Sequence, residues 1–363
     1  MLITSIQDIE EEVHIRPLST GKREIGPGRP CFFIAEAGVN HNGDPALARE
    51  LIDIAAESGA DAVKFQTFNA RRVISPDAPK AKYQKDTTGE SGSQIDVVRN
   101  LEFPFETFGE LSEHASKRGI LFLSTGFDTT AVDYLESIDM PILKIASGEI
   151  TNFPLLRHFG ATKRPVILST GMSDIGEVSA AIAVLEEAGS TDIAILHCTS
   201  NYPARYEDVN LRAMLTLRSA FERPVGYSDH SPGIDVALAA VALGANIIEK
   251  HFTVDKSLPG PDHQASLTPS ELTACVTGIR NVERSLGSTR KYCTETEMDT
   301  RYVARRSLFL AKPKKAQEII AEDDLIPLRP GDGVPASMVD YVVGRRLTKD
   351  LPDGYKLQWS DLG

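Results

Sequence analysis

Eight short apolar runs along this 363-residue chain each give way to polar residues able to do acid–base, anion-binding or metal chemistry. The first ends on Glu36 and continues through Asn40, His41 and Asn42; the second carries Lys64 and Gln66; the third ends on Ser124 and Thr125. Lys144, Ser147 and Glu149 follow in the fourth, Ser169 and Thr170 in the fifth, and His197, Thr199, Ser200 and Tyr202 in the sixth. The last two end on Ser228, Asp229 and His230, and on Glu249, Lys250 and His251. Side chains alternate along a strand, so Lys64 and Gln66 share one face, as do Glu249 and His251. Two inward lysines, Lys64 and Lys144, amid many hydroxyls make a concentrated anion site, suited to a ligand that carries phosphate and carboxylate. One strand-end lysine is as readily a solvated surface charge, but the repetition over six runs argues for a built site.

His230 and His251 end the seventh and eighth runs. Neighbouring strands would let them share one divalent ion through imidazole nitrogens, with water and substrate oxygens in the other positions. A strand-end histidine is also commonly a hydrogen-bonded structural residue, and spacing alone leaves both readings open. His14, His41, His114, His158, His197 and His263 compete for the role; His114 and His158 fall in helix-like stretches and read as structural. The Pro/Gly turn SLPGPDHQAS (257–266) brings Asp262 and His263 close behind the last run, as a rigid loop or a ligand clamp. LSTGMSDIGE has the form of a phosphate-cradling turn into a helix, although Gly and Ser are also ordinary turn residues.

The elements that must position these groups follow from the hydropathy pattern. Runs at 31–38, 62–68, 121–127, 143–149, 166–172, 193–200, 225–231 and 247–253 alternate with stretches of helical period, the pattern of βα units around a parallel sheet. Eight units in roughly 250 residues predict an α/β fold closed as a (β/α)8 TIM barrel, with its chemistry at the C-terminal strand ends. PALARELIDIAAESG predicts a helix capped by Asp44, with Pro45 at its first position and Gly59 closing it. The stretch 69–102, with KAKYQKDTTGESGSQ inside it, reads as an inserted loop over the barrel mouth. The boundaries are then an N-terminal extension over 1–30, the barrel over 31–287, a polar linker over 288–306 and a small β-rich module over 307–363.

The formal charge of −12 disfavours nucleic acid and anionic membranes as partners, because both need clustered Lys and Arg. Four widely spaced cysteines without C-x-x-C point to neither a zinc knuckle nor a redox pair. The acidic N-terminus lacks a basic, apolar leader, and no run of 18 apolar residues follows, so the chain reads as cytoplasmic with no membrane span.

Taken together, IAEAGVNHNGD (34–44), ADAVKFQTF (60–68), KIASGEITNFPLL (144–156), LSTGM (168–172), LHCTSNYPA (196–204), GYSDHSPG (226–233), LGANIIEKHFT (243–253) and PGPDHQAS (259–266) resemble the sialic acid synthase family. The tail SLFLAKPKKAQEIIAEDDLIPLRPGDG resembles that family's C-terminal antifreeze-like (SAF) domain. The resemblance implies condensation of phosphoenolpyruvate with N-acetylmannosamine or a related acylamino hexose, giving a nine-carbon 2-keto acid and phosphate. An alternative within it is 2,4-diacetamido-2,4,6-trideoxymannose, the precursor of a legionaminic acid; IAEAGVNHNG and the KAKYQ loop look closer to the legionaminic and bacterial sialic branches than to the vertebrate one. It further implies that Lys64, Thr125, Lys144, Ser147, Ser169, Ser200 and Ser228 bind phosphoenolpyruvate. His230 and His251 would bind the metal, manganese with magnesium or cobalt as substitutes. Glu36, Gln66, Tyr202 and Asp262 match the sugar side, and Arg329 matches an arginine reaching in from the other subunit of a domain-swapped homodimer. Glu36 and Glu249 are the carboxylates expected to transfer protons or position water. The chain departs from the family where Ser200 replaces an Asn found in some members, where KPKKAQEI lacks a Lys-Gly turn, and over residues 1–30, which match nothing. Two rivals are a Schiff-base aldolase using Lys144 or Lys64 and a non-catalytic sugar-binding protein.

Overall fold

The computed structural model describes residues 15–21, 23–79 and 93–363. His14 and the KAKYQ part of the expected mouth loop lie outside these residues. A hairpin of β1 (Leu18–Ser19) and β2 (Glu24–Ile25) comes first. The eight strands β3 (Phe32–Gly38), β4 (Ala62–Thr67), β5 (Leu121–Gly126), β6 (Leu143–Ile145), β7 (Val166–Ser169), β8 (Ile193–Cys198), β9 (Val225–Asp229) and β10 (Ile247–His251) then close a parallel barrel, β10 pairing with β3. Their Val, Ile, Leu and Phe content suits strands covered on both faces, and every residue of β3 and β10 is buried.

The helix Pro45–Glu57 begins as its sequence requires: the Asp44 side chain accepts from Ala46 N, and the chain reverses at Gly59 with φ of 80°. Short helices at Ala70–Val73 and Gln94–Arg99 occupy part of the stretch expected to be loop. The fourth strand is shorter than its apolar run. β6 stops at Ile145, and Ser147–Glu149 form a 3-10 turn in which the Ser147 hydroxyl accepts from Gly171 N at 2.9 Å, so the polar end bends toward β7.

The described part of the N-terminal segment belongs to the barrel's packing. Leu18 and Ile25 are buried in the barrel's core cluster, each contributing about 1.5–3 kcal/mol. Arg23 pairs with Asp61, which lies just before β4 and accepts from Phe33 N at 2.8 Å, so the hairpin sits at the N-terminal end of the strands.

A second compact unit starts at Ser288. The polar stretch read as a linker carries the helix Met298–Ala304, and Tyr302 anchors it to this unit by accepting from Gly331 N at 2.9 Å and donating to Asp332 at 3.0 Å. Strands β11 (Ser307–Leu310) and β12 (Leu325–Leu328) pair antiparallel over a core that includes Leu308, Leu310, Ile320 and Leu357.

The tail's missing glycine has a structural counterpart. Gln317 holds φ of 65° in the turn closed by Glu318 N and Lys315 O at 3.2 Å. A side chain in that conformation costs about 1–2 kcal/mol, partly offset by the entropy a glycine loses on folding. Gln317→Gly is therefore expected to raise the melting midpoint of this unit by a few degrees, measured by calorimetry on the full chain; a lowered midpoint would contradict the strain.

Candidate active site

The barrel register brings the strand-end polar groups together. Glu36 lies beside both Lys64 and His251, Thr125 beside Gln66 and Lys144, and Ser228 beside Glu249 and Cys198. Every barrel residue assigned above from the family resemblance lines one cavity of about 610 Å³.

One part of the cavity is built for an anion. Lys64 Nζ lies 2.6 Å from Glu36 Oε2, 2.9 Å from Thr125 Oγ1 and 3.7 Å from Glu249 Oε2. Lys144 Nζ donates to Ser169 Oγ at 2.6 Å and lies 3.8 Å from Glu249 Oε1, which also accepts from Ser228 at 3.1 Å. Ser147 and Ser200 flank Gly171, where any Cβ would run into both hydroxyls, so only glycine lets the turn after β7 approach them.

The two buried carboxylates are pushed apart. Burial pushes Glu36 up to about 7 against the opposing charge of Lys64. Burial also acts on Glu249, but Lys144 and Lys64 outweigh it and hold that carboxyl below its ordinary value. Such a split separates a proton-transfer group from a permanently ionised one. Burial lowers Lys144 below the usual ammonium range, whereas Glu249 and Glu36 keep Lys64 above it despite burial.

The other part of the cavity carries the remaining candidates. Gln66 Nε2 donates to Glu36 Oε1 at 3.3 Å. The Tyr202 ring lies 4.1 Å from that of His230 and meets that of His251 edge-on at 5.7 Å. Asp262 is buried, and that burial pushes it up to about 6. The two imidazoles are 5.4 Å apart between centroids.

This donor pair fits a divalent ion. His230 Nδ1 donates to Thr199 O at 2.9 Å, so Nε2 is the nitrogen that would face an ion; burial works against a proton there, but the neighbouring Cys198 holds the ring above its ordinary value, so an ion would have to displace that proton. His251 Nδ1 is buried without a hydrogen-bond partner, and burial followed by the neighbouring positive charges holds that ring well below its usual value, hence neutral. Among the described residues no cluster of three or more His, Cys, Asp and Glu side chains is arranged to hold a metal; an ion held by these two imidazoles alone would have its other positions for ligand oxygens.

Alternation excludes some strand-end groups. Lys250 and Asp229 turn away from the cavity and pair at 2.7 Å, with Lys250 also donating to Ser231 O at 2.8 Å, which makes them a structural ion pair. His197 donates to Val209 O at 2.7 Å. His41 stacks on Phe103 at 4.1 Å and is lowered to about 4, mainly by burial. His263 lies between Thr253 Oγ1 at 2.6 Å and Asn42 Oδ1 at 3.1 Å, a brace for the loop that presents Asp262. His114 and His158 lie against Asp53 and Asp133 at 2.7 and 2.6 Å on outer helices. Arg329 follows β12 on the second unit and is exposed.

Glu149, named among the strand-end groups without a specific role, and Cys198, which the sequence reading passed over, also line the cavity. Glu149 lines the cavity and accepts from Asn152 at 2.7 Å. Cys198 lies 3.7 Å from His230 Nδ1; burial would raise the thiol, but His230 draws it below its ordinary value. Its place at the inward end of β8, two residues before Ser200, was the available signal.

Comparison with known proteins agrees over nearly the whole length. The chain matches the NeuB family over residues 51–291 and the SAF domain over 305–363. The N,N'-diacetyllegionaminic acid synthase of Legionella pneumophila is 49% identical over 346 residues, covering 94% of this chain and 97% of that protein. The protein of the same name from Campylobacter jejuni is 48% identical, covering 90% and 98%. The crystal structure of the N-acetylneuraminic acid (sialic acid) synthetase of Leptospira borgpetersenii superposes with a TM-score of 0.69 at 38% identity, over 79% of this chain and 96% of that one. With its barrel matched by one profile and its tail by the other, the chain belongs to the NeuB family of sialic acid-type synthases and ends in a SAF domain.

Proposed function

We propose that the enzyme joins phosphoenolpyruvate to the open-chain aldehyde of an acylamino hexose, releasing phosphate and leaving a nine-carbon 2-keto acid. The observation that carries this reading is the convergence of two buried lysines, two carboxylates of opposed acidity and two metal-competent histidines on one cavity. Lys64 and Lys144, with Thr125, Ser147, Ser169, Ser200 and Ser228, bind the phosphate and carboxylate through fixed donors in a water-poor site. Glu249 stays ionised and holds both ammonium groups in place. Glu36 accepts the proton of the water that adds to the former enol carbon before phosphate leaves. Gln66, Tyr202 and Asp262 orient the sugar. A divalent ion held by His230 and His251, manganese first and magnesium or cobalt as substitutes, supplies Lewis-acid polarisation of a carbonyl oxygen.

A domain-swapped homodimer would bring Arg329 of one subunit to the sugar end of the other's cavity. The exposed Ile319, Tyr341 and Trp359 of the second unit support such a contact. Among the described residues no helix is long and apolar enough to cross a membrane. Free thiols at Cys31, Cys198, Cys275 and Cys293 support the cytoplasm as the compartment.

For the sugar, the higher identity to the diacetyllegionaminic acid synthases than to the sialic acid synthetase supports 2,4-diacetamido-2,4,6-trideoxymannose. N-Acetylmannosamine is the second reading. Phosphate release from phosphoenolpyruvate with each sugar tests both, and release with neither sinks the reading. Lys144's lowered basicity keeps the aldolase rival testable: borohydride trapping of pyruvate on the enzyme would favour it.

Removing metal supplies a further check. Dialysis against EDTA is expected to abolish turnover, manganese to restore it, and His230→Ala to abolish the restoration. Full activity in chelator would remove the histidine pair from the mechanism.

A further inference from the structure

We propose that an apolar wall in this cavity sets sugar specificity, favouring a hexose whose far end carries a methyl and an acylamino group over one that carries hydroxyls there. This rests on the synthase reading above and deepens its choice of sugar.

The order of side chains along β4 and just beyond it points to the wall. Lys64, Gln66 and Phe68 occupy alternate positions, and all three line the cavity. Each step of two residues rises about 6.6 Å. Lys64 belongs to the anion site and Gln66 bonds Glu36, so Phe68 stands one step further toward the mouth, where the carbons of the sugar beyond its reacting end must lie. Phe68 meets Phe127 edge-on at 6.2 Å. Val39, Phe68 and Leu101 form a small apolar cluster separate from the barrel core, with Val97, Val98 and Phe127 packed on it. All six line the cavity, so this cluster faces ligand space as well as protein.

The polar groups assigned to the sugar, Glu36, Gln66, Tyr202 and Asp262, are not members of this cluster, and Gln94 is the polar lining residue on the helix that carries Val97 and Val98. A hydroxymethyl group or a free hydroxyl held against the six apolar side chains would lose water partners that those side chains cannot replace. A methyl group and the methyl of an acetamido substituent would instead be buried favourably. One such group in an apolar pocket discriminates by about 10–200-fold.

The test compares kcat/KM for 2,4-diacetamido-2,4,6-trideoxymannose and for N-acetylmannosamine, using the full-length metal-loaded enzyme and saturating phosphoenolpyruvate. Wild type is expected to prefer the first by at least about 10-fold. Val98→Thr and Phe127→Tyr each add one hydroxyl to the wall at nearly constant volume. They are expected to shrink the preference at least about 5-fold through the sugar KM, leaving the KM for phosphoenolpyruvate unchanged. Val97→Thr substitutes if either variant does not fold. Folded variants that keep the wild-type ratio would overturn the role of the wall while leaving the synthase reading intact. A wild type that releases phosphate with N-acetylmannosamine alone would overturn the sugar choice itself, whatever the variants do.

Discussion

Glu36→Gln is expected to lower kcat by roughly 10²–10⁴-fold and to erase the acid limb of the pH profile. Below neutrality the wild-type carboxyl is protonated, because burial has pushed it up to about 7, and a protonated carboxyl cannot accept a proton from water. kcat/KM should therefore rise as pH rises through about 7 and level off above it. The amide keeps the size and the contact with Gln66 but has no titration, so the variant's profile should be low and flat there. A rising limb that survives in Glu36→Gln would assign the proton transfer to another group.

The same carboxyl has a stability signature with a definite sign. Its folded value lies above the reference value of 4.5, so the folded state binds this proton more tightly than the unfolded chain does. The contribution to stability is therefore fully present below about 4.5 and is lost as pH rises through about 7. Glu36→Gln should remove that slope, which chemical denaturation at several pH values would reveal.

Glu249→Ala is expected to destabilise the unliganded enzyme by about 3–5 kcal/mol, because it leaves the buried Lys144 without a carboxylate and Lys64 with Glu36 alone. Glu249 lies 3.7 Å from Lys64 and 3.8 Å from Lys144, and both charges act on it. Phosphoenolpyruvate offers a replacement set of negative oxygens. It should therefore raise the melting temperature of the variant more than that of the wild type, since a ligand stabilises in proportion to its preference for the folded state. Turnover should fall as well, as the lysines lose their alignment. A variant that melts with the wild type and shows an equal ligand shift would mean that Glu249 does not hold the pair.

Much of this site was legible because alternation in a strand is a local rule. Lys64 with Gln66, and Glu249 with His251, share faces whatever the rest of the chain does, and the structure places all four on the cavity. The same rule excludes Lys250 and Asp229, although their identity as a buried ion pair depends on two strands meeting and is not written in either alone. The early end of β6 was not legible, since it follows from a hydrogen bond between Ser147 and Gly171 across 24 residues. Acidity was hidden for a similar reason. Glu36 and Glu249 are the same residue type at comparable strand ends, and their surroundings separate them: Lys144, Lys64 and His230 face Glu249, whereas Glu36 has Lys64 alone and the like charge of Glu249. The burial of Leu18 and Ile25 also escaped the sequence, because a hairpin with two-residue strands has no periodicity to read.

The strict parity of β10 has a consequence for how such a chain can change. Inserting or deleting one residue before Glu249 would rotate the frame of the strand, sending Glu249 and His251 toward the helices and Lys250 into the cavity. The roles proposed for Glu249 in balancing the lysines and for His251 as a metal ligand would be lost in one step, and no single substitution would repair them. The short helix Gln94–Arg99 is under no such constraint, since its residues join no ladder. Diversification of this enzyme should therefore accumulate as length and side-chain variation around that helix, with the strand frames held fixed.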